Sequence, residues 1–256
     1  MKPYVLICND DGILSNGLRA LADAFWDDGW RVTVCAPHQE RSASAHSITI
    51  KRPVVTSSVR WEGMPEEAEI AVFQTDGTPA DCVKVALLNL CESKPDLVVS
   101  GINNGWNCGT DVHYSGTVGA AMEAAFNDVP AIAVSSARGA GGKQNEYAAA
   151  LATRMARKLI EKPLPMPSVL NINVPDCEPE AVKGIVEAPL TCIRYTDRYH
   201  SMRHERGRTA YWLSGDIIEE GNLPGGDLDC LLKGYATVTV LGWDLTVSGL
   251  LDGVMD

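Results

Sequence analysis

Tyr4-Val5-Leu6-Ile7-Cys8 runs straight into Asn9-Asp10-Asp11-Gly12. A short continuous apolar run of this kind is expected for a strand covered on both faces. The polar turn behind it marks the carboxyl end of that strand. Leu18, Leu21, Ala22 and Phe25 follow at helical spacing. Arg31 to Ala36 then reads as a second strand, ended by Pro37. The alternation continues with a helix over Val83–Leu90 (Pro79 near its start) and a strand over Asp96–Ser100. A helix over Gly119–Phe126, a strand over Ala131–Ser135, a helix over Asn145–Ile160 and a strand over Val169–Val174 complete the series. Strand–helix alternation implies right-handed crossovers, so the expected fold is α/β, with a doubly wound, mostly parallel, Rossmann-like sheet.

Beyond residue 190 the texture changes. Arg194 to Arg208 is polar and basic-leaning. Tyr211-Trp212-Leu213 and Tyr235 to Leu241 read as β-strands, with the turn Pro224-Gly225-Gly226-Asp227 between them. The expected organisation is one domain, with an α/β catalytic core over 1–190. A small antiparallel C-terminal β appendage over 191–256 is expected to serve oligomer contacts.

The chain has 256 residues, 45% hydrophobic and 21% charged, a globular composition with ample material for one core. No apolar run approaches the ~18–20 residues of a bilayer span, so no membrane partner is expected. The N-terminus leads directly into the first strand without a signal-peptide pattern. The net charge of −11 disfavours a DNA or RNA duplex as partner. Eight cysteines without a C-x-x-C pair read as reduced, packed thiols of a cytoplasmic protein, and the spacings of a structural zinc site are missing.

Ligands of doubly wound sheets collect at the carboxyl ends of the strands, which directs attention to three segments. Asp10 and Asp11 are adjacent carboxylates that repel unless a cation or proton sits beside them. They either cap the next helix or bind a hard divalent ion such as Mg²⁺ or Mn²⁺. The loop Glu40 to Thr49 is rich in small hydroxyl residues, which suit either plain solvation or contact with an anion or metal. Ser100 to Asn107 leads through Asp111 and His113 into Ser115-Gly116-Thr117 and an Ala-rich helix. There an asparagine oxygen can ligate a metal, and the helix start can either be simply capped or bind an anion.

Asn9-Asp10-Asp11-Gly12, Arg41-Ser42, Asp76-Gly77-Thr78-Pro79-Ala80-Asp81, Ser100-Gly101-Ile102-Asn103 and Ser115-Gly116-Thr117-Val118 together resemble the SurE family of nucleotidases. Asn171 to Pro175 and Asp244-Leu245-Thr246 also resemble family segments, so the resemblance spans nearly the whole chain. It implies a metal-dependent phosphomonoesterase acting on nucleoside 5′- and 3′-monophosphates. It carries the metal-ligand role onto Asp10, Asp11, Ser42 and Asn103, with one Mg²⁺ or Mn²⁺ per subunit. Phosphate contact falls on Asn107, Ser115, Gly116 and Thr117, and either Asp10 or Asp11 can take a proton from the attacking water. It also implies a homodimer or homotetramer. The competing readings are a non-hydrolysing nucleotide sensor, a receiver-like signalling module and a phosphatase with an aspartate nucleophile. The last of these lacks its D-x-D arrangement. His38, His46, His113, His200 and His204 read as loop or surface residues, with His113 nearest the expected site. Trp106 either stacks on a nucleobase or packs.

Overall fold

Tyr4–Cys8 forms β1, fully buried, and its alternate side chains enter two different cores. Val5 and Ile7 pack with Leu18, Leu21 and Phe25 on one side of the sheet, whereas Leu6 and Cys8 pack with Val83, Ala120 and Ala124 on the other. That split explains the continuous apolar run, because both faces of the strand are covered by helices. The computed structural model describes residues 2–64, 70–204, 207–218 and 223–246.

The helices are α1 (Asn16–Asp27), α2 (Pro79–Val85, continued by a π turn over Ala86–Leu90), α3 (Gly116–Phe126), α4 (Gly142–Glu161) and α5 (Asp227–Leu232). α1 packs with α4, and α2 with α3. Local chemistry sets their starts. Ser15 accepts from the Leu18 N–H, and Thr78 and Asp81 form a reciprocal capping box with Pro79 at the first turn. Ser115 accepts from the Val118 N–H at 3.0 Å.

The remaining strands are β2 (Arg31–Pro37), β3 (Thr56–Ser58), β4 (Ile70–Thr75), β5 (Leu97–Asn104), β6 (Ala131–Ser136), β7 (Ser168–Asn173), β8 (Ile185–Glu187), β9 (Arg198–Arg203), β10 (Thr209–Ser214) and β11 (Ala236–Gly242). Among the described residues the main sheet runs β3-β4-β2-β1-β5-β6-β7-β11-β8. Every pairing from β4 through to β7 is parallel. The chain winds outward from β1 through β2 and β4, then returns to β5 on the other side of β1. The crevice beyond β1 and β5 is therefore the topological switch point, where doubly wound sheets bind ligands.

The expectation for the C-terminal segment needs one correction. The strand read over Tyr235 to Leu241 is β11, and it lies in the main sheet, antiparallel to β7 and parallel to β8. It covers the flank of β7, every residue of which is buried. The separate antiparallel hairpin consists of β9 and β10. Arg206, in the basic stretch, and the end of the chain beyond 246 lie outside the described residues.

Candidate active site

The turn after β1 is shaped by Asn9, which is fully buried. Its Oδ1 accepts from the Gly12 N–H at 3.2 Å, and its Nδ2 donates to the Gly12 carbonyl at 3.1 Å and to Ser15 Oγ at 2.7 Å. Gly12 has φ +98°, a conformation that a side chain disfavours. The pinned turn leaves Asp10 and Asp11 facing a cavity of about 480 Å³ beyond the strand ends.

Of the eight residues singled out in the sequence, Asp10, Asp11, Ser42, Asn103, Asn107 and Ser115 line this one cavity. Gly116 stands against Asp10: a Cβ at that position would lie 2.6 Å from Ser44 Oγ and 3.0 Å from Asp10 Oδ2. Thr117, completely buried, points at Asp10 as well. Its hydroxyl donates to Asp10 Oδ1 at 2.5 Å and its N–H to Oδ2 at 3.2 Å. Thr117 thus orients a carboxylate, and its hydroxyl is committed there.

Asn103 and Ser42 are each turned in a defined way. The Asn103 amide donates to the Gly105 carbonyl at 2.7 Å, which fixes the flip and leaves Oδ1 as the open end. The Ser42 hydroxyl donates to Glu40 Oε1, which leaves its lone pairs for another partner. Asn107 is held through its amide, which donates to Ser135 Oγ at 2.9 Å, and through its carbonyl, which accepts from Asn171 and Asn173. Asp11 Oδ2 accepts from the Asn104 N–H at 3.1 Å.

Burial is the main reason that both carboxylates hold protons more tightly than usual. Asp10 is only 4% exposed, and its affinity is raised although Thr117 opposes the shift. Asp11 is pushed up to about 6, by burial first and then by the charge of Asp10 beside it. Among the described residues, no group of three His, Cys, Asp or Glu side chains is arranged to hold a metal ion. The donor set here is two carboxylates, one amide oxygen and one hydroxyl, an all-oxygen set that suits a hard divalent cation. Ser44 Oγ is buried behind this wall, against Gly116, without a hydrogen-bond partner among the described residues.

With this geometry, the comparisons with known proteins agree. The family model described as Survival protein SurE matches residues 5–197. The chain belongs to the SurE family. A relative named 5′-nucleotidase SurE from Synechococcus sp. (strain JA-3-3Ab) is 42% identical, over 94% of this chain and 92% of its own. Another of that name from Moorella thermoacetica is 43% identical, over 94% and 91%. The crystal structure of a SurE protein from Aquifex aeolicus superimposes with a TM-score of 0.80 at 34% identity, covering 98% of each chain. The mostly parallel α/β fold is thus the fold of the family.

The cavity is also lined by Glu40, Asn104, Asp111, Tyr114 and Arg138, which carry no expected site role. Arg138 is the cation among the described lining residues. It follows β6 in a turn whose Gly139 N–H donates to Asn104 Oδ1 at 2.7 Å. Nothing in its local sequence marks it; the pairing of β6 with β5 brings it to this cavity. His113 and His46 line a different cavity, whereas Trp106 lines this one and donates its indole N–H to the Val174 carbonyl.

Proposed function

We propose that this protein is a phosphomonoesterase that hydrolyses nucleoside 5′-monophosphates, with 3′-monophosphates as second substrates, to nucleoside and phosphate. The reading rests on the Asp10–Asp11 pair at the switch point of the sheet, with Asp10 buried against the N-terminus of α3 and both carboxylates lining one cavity. The names of the relatives support it. Asp10, Asp11, Ser42 and Asn103 would hold one Mg²⁺ or Mn²⁺ per subunit. When bound, such an ion neutralises the carboxylate pair, lowers the pKa of a water and offsets charge on the phosphoryl oxygens. Thr117 holds Asp10 in place, and the absence of a side chain at Gly116 lets α3 approach it. Ser115 and the Gly116 N–H meet the phosphate, aided by the helix dipole, since the Thr117 and Val118 N–H groups are committed to Asp10 and Ser115 Oγ. Asn107 keeps one amide N–H for the same oxygens, since only the other is committed to Ser135.

The same reading includes a homodimer or homotetramer. The β9–β10 hairpin supports it, because Tyr199, Met202, Tyr211, Trp212 and Leu213 are exposed there. All eight cysteines are free, which suits the cytoplasm. Among the described residues no helix is long and apolar enough to cross a membrane.

Phosphate release from a panel of 5′- and 3′-mononucleotides, with Mg²⁺, Mn²⁺ or EDTA, tests the function. The expected result is metal-supported release that EDTA abolishes. Absence of EDTA-sensitive release from every member would overturn the enzyme and leave a nucleotide sensor.

A further inference from the structure

Hydrolysis of a nucleoside monophosphate expels a sugar alkoxide, a far stronger base than water at neutral pH, so the leaving oxygen needs a proton as its bond to phosphorus breaks. The groups described so far do not supply one. Asp10 and Asp11 are committed to a cation, Thr117 directs its proton at Asp10, and Ser42 directs its own at Glu40.

Another carboxyl lines the same cavity. Asp111 stands on a 3₁₀ turn, Gly109–His113, between Asn107 and Ser115. The turn is fixed at three points. The Gly109 N–H donates to the buried Asp227 at 2.6 Å, Thr110 Oγ1 donates to the Ile193 carbonyl at 2.8 Å, and the Tyr195 phenol donates to Asp111 Oδ2. Among the described residues Oδ1 has no hydrogen-bond partner. Asp10 and Glu40 are the charges that act on Asp11, whereas Asp227 is the charge that acts on Asp111. Burial and Asp227 together raise the proton affinity of Asp111, against the Tyr195 hydrogen bond.

We propose that Asp111 is the general acid of the reaction, delivering a proton from Oδ1 to the sugar oxygen as it leaves phosphorus; this rests on the phosphomonoesterase reading above. Water attacks phosphorus and forms the new P–O bond. The P–O bond to the sugar breaks, its electron pair stays on the sugar oxygen, and that oxygen takes the Asp111 proton. The products are the nucleoside and dihydrogen phosphate, which returns a proton to the Asp111 carboxylate and leaves as monohydrogen phosphate.

A carboxylate here has one rival use, accepting hydrogen bonds from ribose hydroxyls. The test compares a nucleoside 5′-monophosphate with its analogue carrying sulfur at the bridging position, whose thiolate leaves without a proton. Asp111→Asn keeps the shape of the side chain and an acceptor for Tyr195. The ratio of the two kcat values is taken within each preparation, so a partly unfolded sample does not distort it. The phenyl and p-nitrophenyl phosphate pair, which has no ribose, gives a second reading of the same ratio. In the variant the oxygen ester is expected to lose about 100-fold in kcat, and the ratio to shift by more than about tenfold toward the better leaving group. A wild-type ratio in the variant overturns the proposal, and equal losses on both esters assign Asp111 to ribose binding or to structure. Wild-type protein that hydrolyses no phosphate ester defeats the phosphomonoesterase reading instead.

Discussion

Two largely buried carboxylate sites in this molecule are shifted in opposite directions. Asp11, beside Asp10, is held up to about 6, because burial and a like charge both oppose ionisation. Glu123, about two turns along α3 from Gly116, is held down to about 2. Burial alone would raise it, but His46 Nε2 at 2.9 Å and Lys84 Nζ at 2.5 Å outweigh burial. The difference is the partner. Glu123 has a cation supplied by the fold, whereas among the described residues no ion pair reaches Asp10 or Asp11. An ionised pair without a protein cation is costly to bury, and it persists where a cation comes from solution.

The cavities beside the two sites repeat the contrast. They have nearly equal volumes, about 480 and 510 Å³, and share Ser115. The second is lined by Val118, Met122, Phe126, Leu241 and Trp243 as well as His46, so its walls are mostly apolar. The Ala45 N–H, which donates to the Tyr114 carbonyl at 2.9 Å, ties together the two loops that divide them. Volume does not distinguish the two spaces; donor chemistry does.

Substitutions on each side can break this contrast. Asp10→Asn should have the largest effect, a loss of more than about 100-fold in turnover of a 5′-mononucleotide, measured as released phosphate. Wild-type turnover in that variant would remove Asp10 from the metal site. Gly116→Ala comes next. Its new methyl group would overlap Ser44 Oγ and press on Asp10, so kcat should fall about 10- to 100-fold with the melting temperature little changed. Thr117→Val removes the hydroxyl that orients Asp10 and should weaken Mn²⁺ binding about tenfold, read by calorimetry.

On the other side, Glu123→Gln should leave turnover per folded molecule near wild type and cost about 1–2 kcal/mol of stability at neutral pH. The pH dependence follows from the sign of the shift. The folded state holds Glu123 below its ordinary value of 4.5, so its contribution is complete above that value and is lost as pH falls toward 2. Denaturant midpoints for wild type and variant should therefore converge on acidification. A constant gap from pH 7 to pH 3 would show that the ion pair is not the cause.

The same contrast explains what the sequence could reveal. Buried parallel strands are written as unbroken apolar runs, so β1, β2, β5, β6 and β7 were legible, and with them the loops that carry Asp10, Asp11 and Asn103. β4 is harder to read: its apolar run, Ile70-Ala71-Val72-Phe73, is only four residues long, passes into Gln74 and Thr75, and is covered unevenly. The alternation of β11 identified a strand but not its sheet, since its partner β7 lies more than sixty residues away in the chain. Within the site, the motif points Thr117 to a phosphate, and the bond from its hydroxyl to Asp10 is visible only in the fold. Asp111 and Arg138 reach the cavity through loop anchoring and strand order, neither of which leaves a local pattern.

In the proposed metal site, Asp10 and Asp11 are the carboxylate pair that takes a cation from solution. Mn²⁺ titration of the metal-free protein, followed by calorimetry or by the loss of the free-ion electron paramagnetic resonance signal, tests it without reference to turnover. One Mn²⁺ is expected to bind per chain in the wild type, with binding abolished in both Asp10→Asn and Asp11→Asn while Glu123→Gln binds normally. Equal Mn²⁺ binding by the wild type and the two aspartate variants would contradict it.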